Sequence, residues 1–187
     1  IRRPPRSTLF PTRRSSDLLA LSSAALAAPF QISSDSFSNG GVAPLSMGGG
    51  GKCPGNNISP QLSWSNAPAG TKSFVLLIED PQGANGLGVM HFIGYGIDAT
   101  RHQFVSGELE KKSLYTSGVN VRGGTGYAGP CPPVNADVHN YNFTLIATDL
   151  DTHALSQGMD KTELAKHLKG HTLAAAGIVA RYELPNQ

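Results

Sequence analysis

Charge is scarce in this sequence, and what there is lies unevenly. Asp, Glu, Lys and Arg make up 15% of the 187 residues, low for a cytosolic protein. Five arginines fall within the first eighteen positions. Setting them aside together with Asp17 turns the formal +2 into −2. The remainder has no basic stretch that could track phosphates, which excludes nucleic acid as a partner. Only two cysteines occur, far apart in the chain and not in a Cys-x2–4-Cys pair, and neither a metal nor a cofactor is expected. Long hydrophobic runs are absent too. The apolar stretch Leu18–Ala28 is too short for a stable membrane span. There is no internal repeat and no candidate linker, so residues 29–187 read as one domain.

What is abundant is glycine and proline, 22 and 13 residues, beside a 39% hydrophobic content that suits a globular core. Many turns and a modest core point to β structure with long loops. Ile1–Leu18, IRRPPRSTLFPTRRSSDL, has no periodicity and reads as translated sequencing-adapter sequence, with a disordered basic tail as the alternative. Leu18–Ala28, LLALSSAALAA, ends in Ala25-Leu26-Ala27. That is the apolar region and small-residue cleavage pattern of a signal peptide, cut near Ala27 or Ala28, and it implies a periplasmic or secreted protein. An ordinary buried helix is the alternative.

Strand signals then alternate with turns. Phe30–Ser34 alternates as a short strand, and Asp35–Pro54 is polar and glycine-rich. The Gly48–Lys52 run invites a phosphate-loop reading, but Ser46 and Cys53 stand where that motif needs Gly and Ser or Thr; a flexible loop is expected instead. Asn57–Trp64 combines a turn with the start of a strand, and Ala67–Thr71 is a further turn. Ser73–Glu79 (SFVLLIE) is short and uniformly apolar enough for a fully buried strand, stopped by Asp80-Pro81. Val89–Ile97 is another, with His91 near its start. Tyr141–Thr148 places Tyr141, Phe143, Leu145 and Ala147 on one face. Asp160–Leu168 is the one good helix, with Asp160 as N-cap and Glu163 three residues on. Gly170 ends it, and Leu173–Leu184 reads as a final strand. The class is mainly β, packed antiparallel sheets with a minor C-terminal helix.

The stretch Gly123–Tyr141, GGTGYAGPCPPVNADVHNY, can be neither helix nor central strand until its end. Glycines permit crowded conformations and prolines stiffen them, while His139 and Tyr141 share one strand face. It reads as a rigid wall for a small-molecule site. His91, on an apolar strand, reads by itself more readily as a hydrogen-bonded core histidine than as a ligand contact. His102, His153, His167 and His171 are expected at the surface.

NNISPQLSW, Asp80-Pro81, His91-Phe92, GYAGPCPP and His139-x-Tyr141-x-Phe143 occur in that order. Together they resemble the phosphatidylethanolamine-binding protein family, and within it the exported members of the bacterial Raf-kinase-inhibitor-like branch. The resemblance covers Phe30–Glu183. It implies two packed sheets with a small anion pocket at one end, built here from Asp80, Pro81, His91, Gly129, Cys131, Pro132, Pro133, His139 and Tyr141. Such a pocket takes phosphate, phosphorylated head groups or carboxylates. Two histidines and a tyrosine suit that chemistry, with Asp80 holding one imidazole in its tautomer.

The family's acidic turn, Asp-Pro-Asp-Ala-Pro, is Asp80-Pro81-Gln82-Gly83-Ala84 here, and its His-Trp pair is His91-Phe92. A less rigid rim is expected from these departures. An even cysteine count in an oxidising compartment suggests a disulfide between Cys53 and Cys131, as related exported sequences also imply; it would tether the glycine-rich loop to the pocket wall. The competing reading makes Cys131 a nucleophile with His139 as base. Binding of a small anionic or phosphorylated ligand is therefore set against an enzyme using Cys131–His139 or Asp80–His91, and against inhibition of a partner protein. The kinase inhibition attached to eukaryotic members transfers poorly to an exported chain. Either a monomer or a homodimer is compatible with the sequence.

Overall fold

Nine strands account for most of the regular secondary structure in the computed structural model, which describes residues 28–133 and 137–184. In chain order they are β1 (Gln31–Ser33), β2 (Gly41–Val42), β3 (Leu62–Ser65), β4 (Ser73–Asp80), β5 (Val89–Asp98), β6 (Gln103–Phe104), β7 (Thr116–Ser117), β8 (His139–Thr148) and β9 (Thr172–Tyr182). They form a three-stranded sheet, β1-β3-β6, and a six-stranded sheet, β2-β9-β8-β4-β5-β7. All pairings are antiparallel except the short β2–β9 contact, which is parallel. The expected adapter-like segment and residues 18–27 of the expected signal peptide lie outside the described residues. Among the described residues no helix is long and apolar enough to cross a membrane.

The uninterrupted apolar run of β4 exists because both its faces are covered. Phe74, Leu76 and Ile78 point to the larger core, where Trp64 and Phe104 of the small sheet meet Tyr141, Phe143 and Leu145 of β8. Val75 points the other way, into a second cluster with Ile93, Tyr95, Leu164 and Leu168. The last two come from the helix Lys161–Leu168, which lies over this outer face. Its N-cap is Asp160, whose Oδ1 accepts from Glu163 N at 2.8 Å. Gly170, at φ +84°, turns the chain into β9.

β4 leads into β5 through a tight connection in which Ala84 and Asn85 adopt φ of 51° and 57°. The β4–β5 ladder is irregular beside this turn. Ile78 pairs with Phe92 and Glu79 with Met90, leaving His91 as the extra residue of a bulge. The consequence is directional. Met90 and Phe92 are two apart yet pack into opposite clusters, and His91 turns to the side of Tyr141, their rings edge-on at 5.0 Å. A regular ladder would send His91 to the face of Ile93 instead.

The glycine-rich segment is a correction to the expected flexible loop. Gly48 and Gly49 are buried. Gly49 N donates to the Pro130 carbonyl at 2.8 Å, and Asn57 N to the Gly48 carbonyl at 2.7 Å. Cys53 and Cys131, 78 positions apart in the chain, are joined in a disulfide with Cα atoms 5.3 Å apart.

Candidate functional site

Asp80 is the last residue of β4, and its carboxylate organises the turn into β5. Oδ1 accepts from the backbone N–H of Gln82 at 2.9 Å and of Gly83 at 3.0 Å, closing the turn. Oδ2 lies 2.7 Å from Nδ1 of His139, the first residue of β8. All three acceptor contacts are made by a side chain 5% exposed. Gln82 completes the junction. Its Oε1 accepts from Asn140 N at 2.6 Å and its Nε2 donates to the Val138 carbonyl at 3.0 Å. A carboxylate could do the first but not the second. The expected loosening of the rim is thus not found: the glutamine pins the turn to β8 by both ends of its amide.

The facing wall is the loop before β8. His91 Nδ1 is 2.6 Å from the Ala128 carbonyl oxygen, and Ala128 N donates back to the His91 carbonyl at 2.9 Å. Asn57, from the NNISPQLSW motif, bridges to the same loop. Its Oδ1 accepts from Gly129 N at 2.8 Å and its Nδ2 donates to the Tyr127 carbonyl. Asn120 shapes the preceding turn, accepting from Arg122 N at 2.9 Å and donating to the Gly126 carbonyl at 2.9 Å. Arg122 then reaches across to the Gly49 carbonyl, Nη2 to O 3.0 Å. Gly129 is the tightest point: a Cβ there would lie 2.1 Å from the Met47 carbonyl oxygen and 3.0 Å from Gly49 N. Gly129→Ala is expected to cost about 2–3 kcal/mol, read as a shifted midpoint in urea unfolding.

These walls enclose a cavity of about 600 Å³. Asp80, His91, Gly129, Cys131, Pro132, Pro133, His139 and Tyr141 line it, joined by Cys53. Pro81 does not: it stands exposed on the outside of the turn, since the backbone bends back only after it. Gln82, noted only as a departure from the family's acidic turn, also lines the cavity, as do Arg122, Asn85, Val89 and Val121, which carried no sequence signal. His102, His153, His167 and His171 are all exposed, away from the cavity. Among the described residues no three His, Cys, Asp or Glu side chains converge to hold a metal.

Burial pushes the His91 imidazole below its ordinary pKa. The Arg122 charge acts in the same direction, against the opposing Ala128 hydrogen bond and Asp80 carboxylate. The Tyr141 phenol is held well above its ordinary value by burial first and the Asp80 charge next, so it remains an O–H donor. That hydroxyl is buried and has no hydrogen-bond partner among the described residues. Both enzyme pairings expected from sequence meet obstacles here. The Cys131 sulfur is bonded in the disulfide, which removes the thiol nucleophile. Asp80 pairs with His139, not His91, whose Nδ1 faces the Ala128 carbonyl instead.

Two sheets with a charged, histidine-bearing pocket at one end define a small β-fold ligand-binding protein. The phosphatidylethanolamine-binding protein family model matches residues 33–183, and the chain belongs to that family. It is 32% identical over 155 residues to the UPF0098 protein of Aquifex aeolicus, covering 82% of this chain and 88% of that one. It is likewise 32% identical over 166 residues to UPF0098 protein YbcL of Escherichia coli, covering 86% and 91%. The crystal structure of E. coli YbcL, described as a new member of the mammalian PEBP family, superposes with a TM-score of 0.77 at 29% identity. That match covers 84% of this chain and all of the other. These relatives place the chain in the YbhB/YbcL-type branch.

Proposed function

We propose that this protein is an exported binding protein for small anions, phosphate, phosphorylated head groups or carboxylates, held in the cavity between the Asp80 turn and the Gly129–Pro133 loop. The observation that carries the reading is the convergence of Arg122, His91 and His139 on one cavity, at whose wall the buried Tyr141 hydroxyl has no hydrogen-bond partner among the described residues. Leaving a buried donor unpaired costs about 1–3 kcal/mol, a cost that an oxyanion seated there would remove. Arg122 supplies the permanent positive charge, and Asp80 orients His139 from behind.

Export is supported by the signal-like Leu18–Ala28 segment, by low charge and by the disulfide. A Mycobacterium tuberculosis relative, 36% identical over 126 residues, is named as a lipoprotein, which agrees with a family branch that works outside the cytosol.

Phosphate or acetate at millimolar concentration is expected to raise the melting temperature of the wild-type protein by a few degrees through mass action. In His139→Ala that shift should shrink by at least half. If neither anion moves the wild-type transition, there is no anion site.

A further inference from the structure

Polar and apolar groups occupy different depths of the cavity. Tyr141, His91 and Asp80 form its inner end, each 5% exposed or less. The mouth is apolar. Val89 and Val121 both line the cavity, and they are neighbours because Val121 N donates to the Met90 carbonyl at 2.7 Å. Val121 is 52% exposed, and Leu87, between Asn85 and Val89 in the adjoining turn, is 89% exposed. Arg122 follows Val121 but reaches inward, its Nη2 on the carbonyl of buried Gly49. An inorganic phosphate or acetate, two to three times the ~30 Å³ of a water molecule, fills only a fraction of the 600 Å³ available. The remaining space is bordered by valine and proline, not by further charge.

Charge at the inner end is limited as well. Among the described lining residues one guanidinium, Arg122, stands against one carboxylate, Asp80. Asp80 and His139 together carry one negative charge when the imidazole is neutral and none when it is protonated. Burial lowers the proton affinity of His91, and the Arg122 charge adds to that. The net charge of the lining is therefore zero or one positive, whichever state His139 takes. One negative charge on a ligand finds its counterpart in Arg122. A second would be taken out of water with no partner left, which is costly. We propose, on the anion-binding reading above, that the pocket takes a singly charged organic anion with an apolar body, a monocarboxylate or a phosphodiester. The charged head lies against Arg122 and Tyr141, and the body runs out along Val89 and Val121. Inorganic phosphate and phosphomonoesters, doubly charged above neutral pH, are the poorer ligands.

The test is calorimetric titration of the full chain at pH 8 with four sodium salts: acetate, octanoate, dibutyl phosphate and octyl phosphate. Acetate is a head without a body, and octyl phosphate pairs the body of octanoate with a doubly charged head. Octanoate is expected to bind at one site per chain, at least about tenfold more tightly than acetate, as burial of two or more methylenes requires. It should also exceed octyl phosphate by about fivefold or more. Dibutyl phosphate tells the two sources of a single charge apart: tighter binding than octanoate assigns the site to phosphodiesters, weaker binding to carboxylates. In Val121→Ser, whose side chain is half exposed, the ratio of octanoate to acetate affinity should shrink about threefold. Octyl phosphate binding as tightly as octanoate, or octanoate and dibutyl phosphate binding no more tightly than acetate, overturns the inference and leaves the anion site standing. An unchanged ratio in folded Val121→Ser overturns the placement of the body. Absence of binding by all four anions overturns the anion-binding reading itself.

Discussion

Replacing Cys53 and Cys131 together by alanine is expected to lower the melting temperature by about 10–15 °C. The disulfide closes 78 residues of chain, from the glycine-rich loop to the wall before β8. On chain entropy alone, a loop of that size stabilises the folded state by about 4–5 kcal/mol. Much of the local geometry has other supports. Gly49 N still reaches the Pro130 carbonyl, Asn57 still holds Gly129, and Arg122 still spans to Gly49. The loss should therefore appear mainly in global stability, through a freer unfolded chain, and less in the shape of the pocket. Scanning calorimetry of the wild type with and without reductant, beside the double variant, checks this. Reduced wild type should melt with the variant, and an unchanged transition in the variant contradicts the argument. Phosphate-induced stabilisation should survive in the variant, because the proposed anion contacts lie on Arg122, Tyr141 and the histidines, not on sulfur.

The long strands were legible because each has a pattern that only one structure satisfies. Ser73–Glu79 is apolar on both faces and is covered on both; Tyr141–Thr148 alternates and buries its odd-numbered side. Asp160 and Glu163 announced the helix start, and the N-cap bond is present. Two-residue edge strands such as β6 and β7 carry too little sequence for any period to show. The parallel β2–β9 pairing depends on a chain return that local pattern cannot encode. At the cavity, residue identity marked the histidines, the tyrosine and the proline loop. Orientation was another matter. That His91 faces the cavity at all follows from a bulge between Ile78 and Glu79, which is a property of strand register. Asn57 and Asn120 shape the site by bonding backbone from 72 and 6 residues away, and an isolated asparagine gives no sign of such distant partners. Gln82 looked like a loss of the family's second carboxylate. Its amide proves suited to bonds that need a donor and an acceptor together.

Asp80→Asn should strengthen anion binding in the pocket, since it changes which nitrogen of His139 bears the hydrogen without removing the side chain behind it. The two N–H groups of Gln82 and Gly83 require an acceptor at the Oδ1 position, so the amide oxygen must lie there. The amide nitrogen then occupies the place of Oδ2, 2.7 Å from His139 Nδ1, and it can only donate. His139 is forced to accept at Nδ1 and to carry its hydrogen on Nε2, which now faces the cavity as a donor. One fixed negative charge disappears as well. Both changes favour a bound anion. Affinity for sulfate and for phosphate is expected to rise by about tenfold or more over wild type, roughly 1.4 kcal/mol. The turn keeps its acceptor, so the melting temperature should move little, which separates a tautomer effect from unfolding. Calorimetric titration with sulfate reads the result directly. Weaker binding of both anions in a folded Asp80→Asn would mean that the carboxylate does more than set which nitrogen of His139 bears the hydrogen.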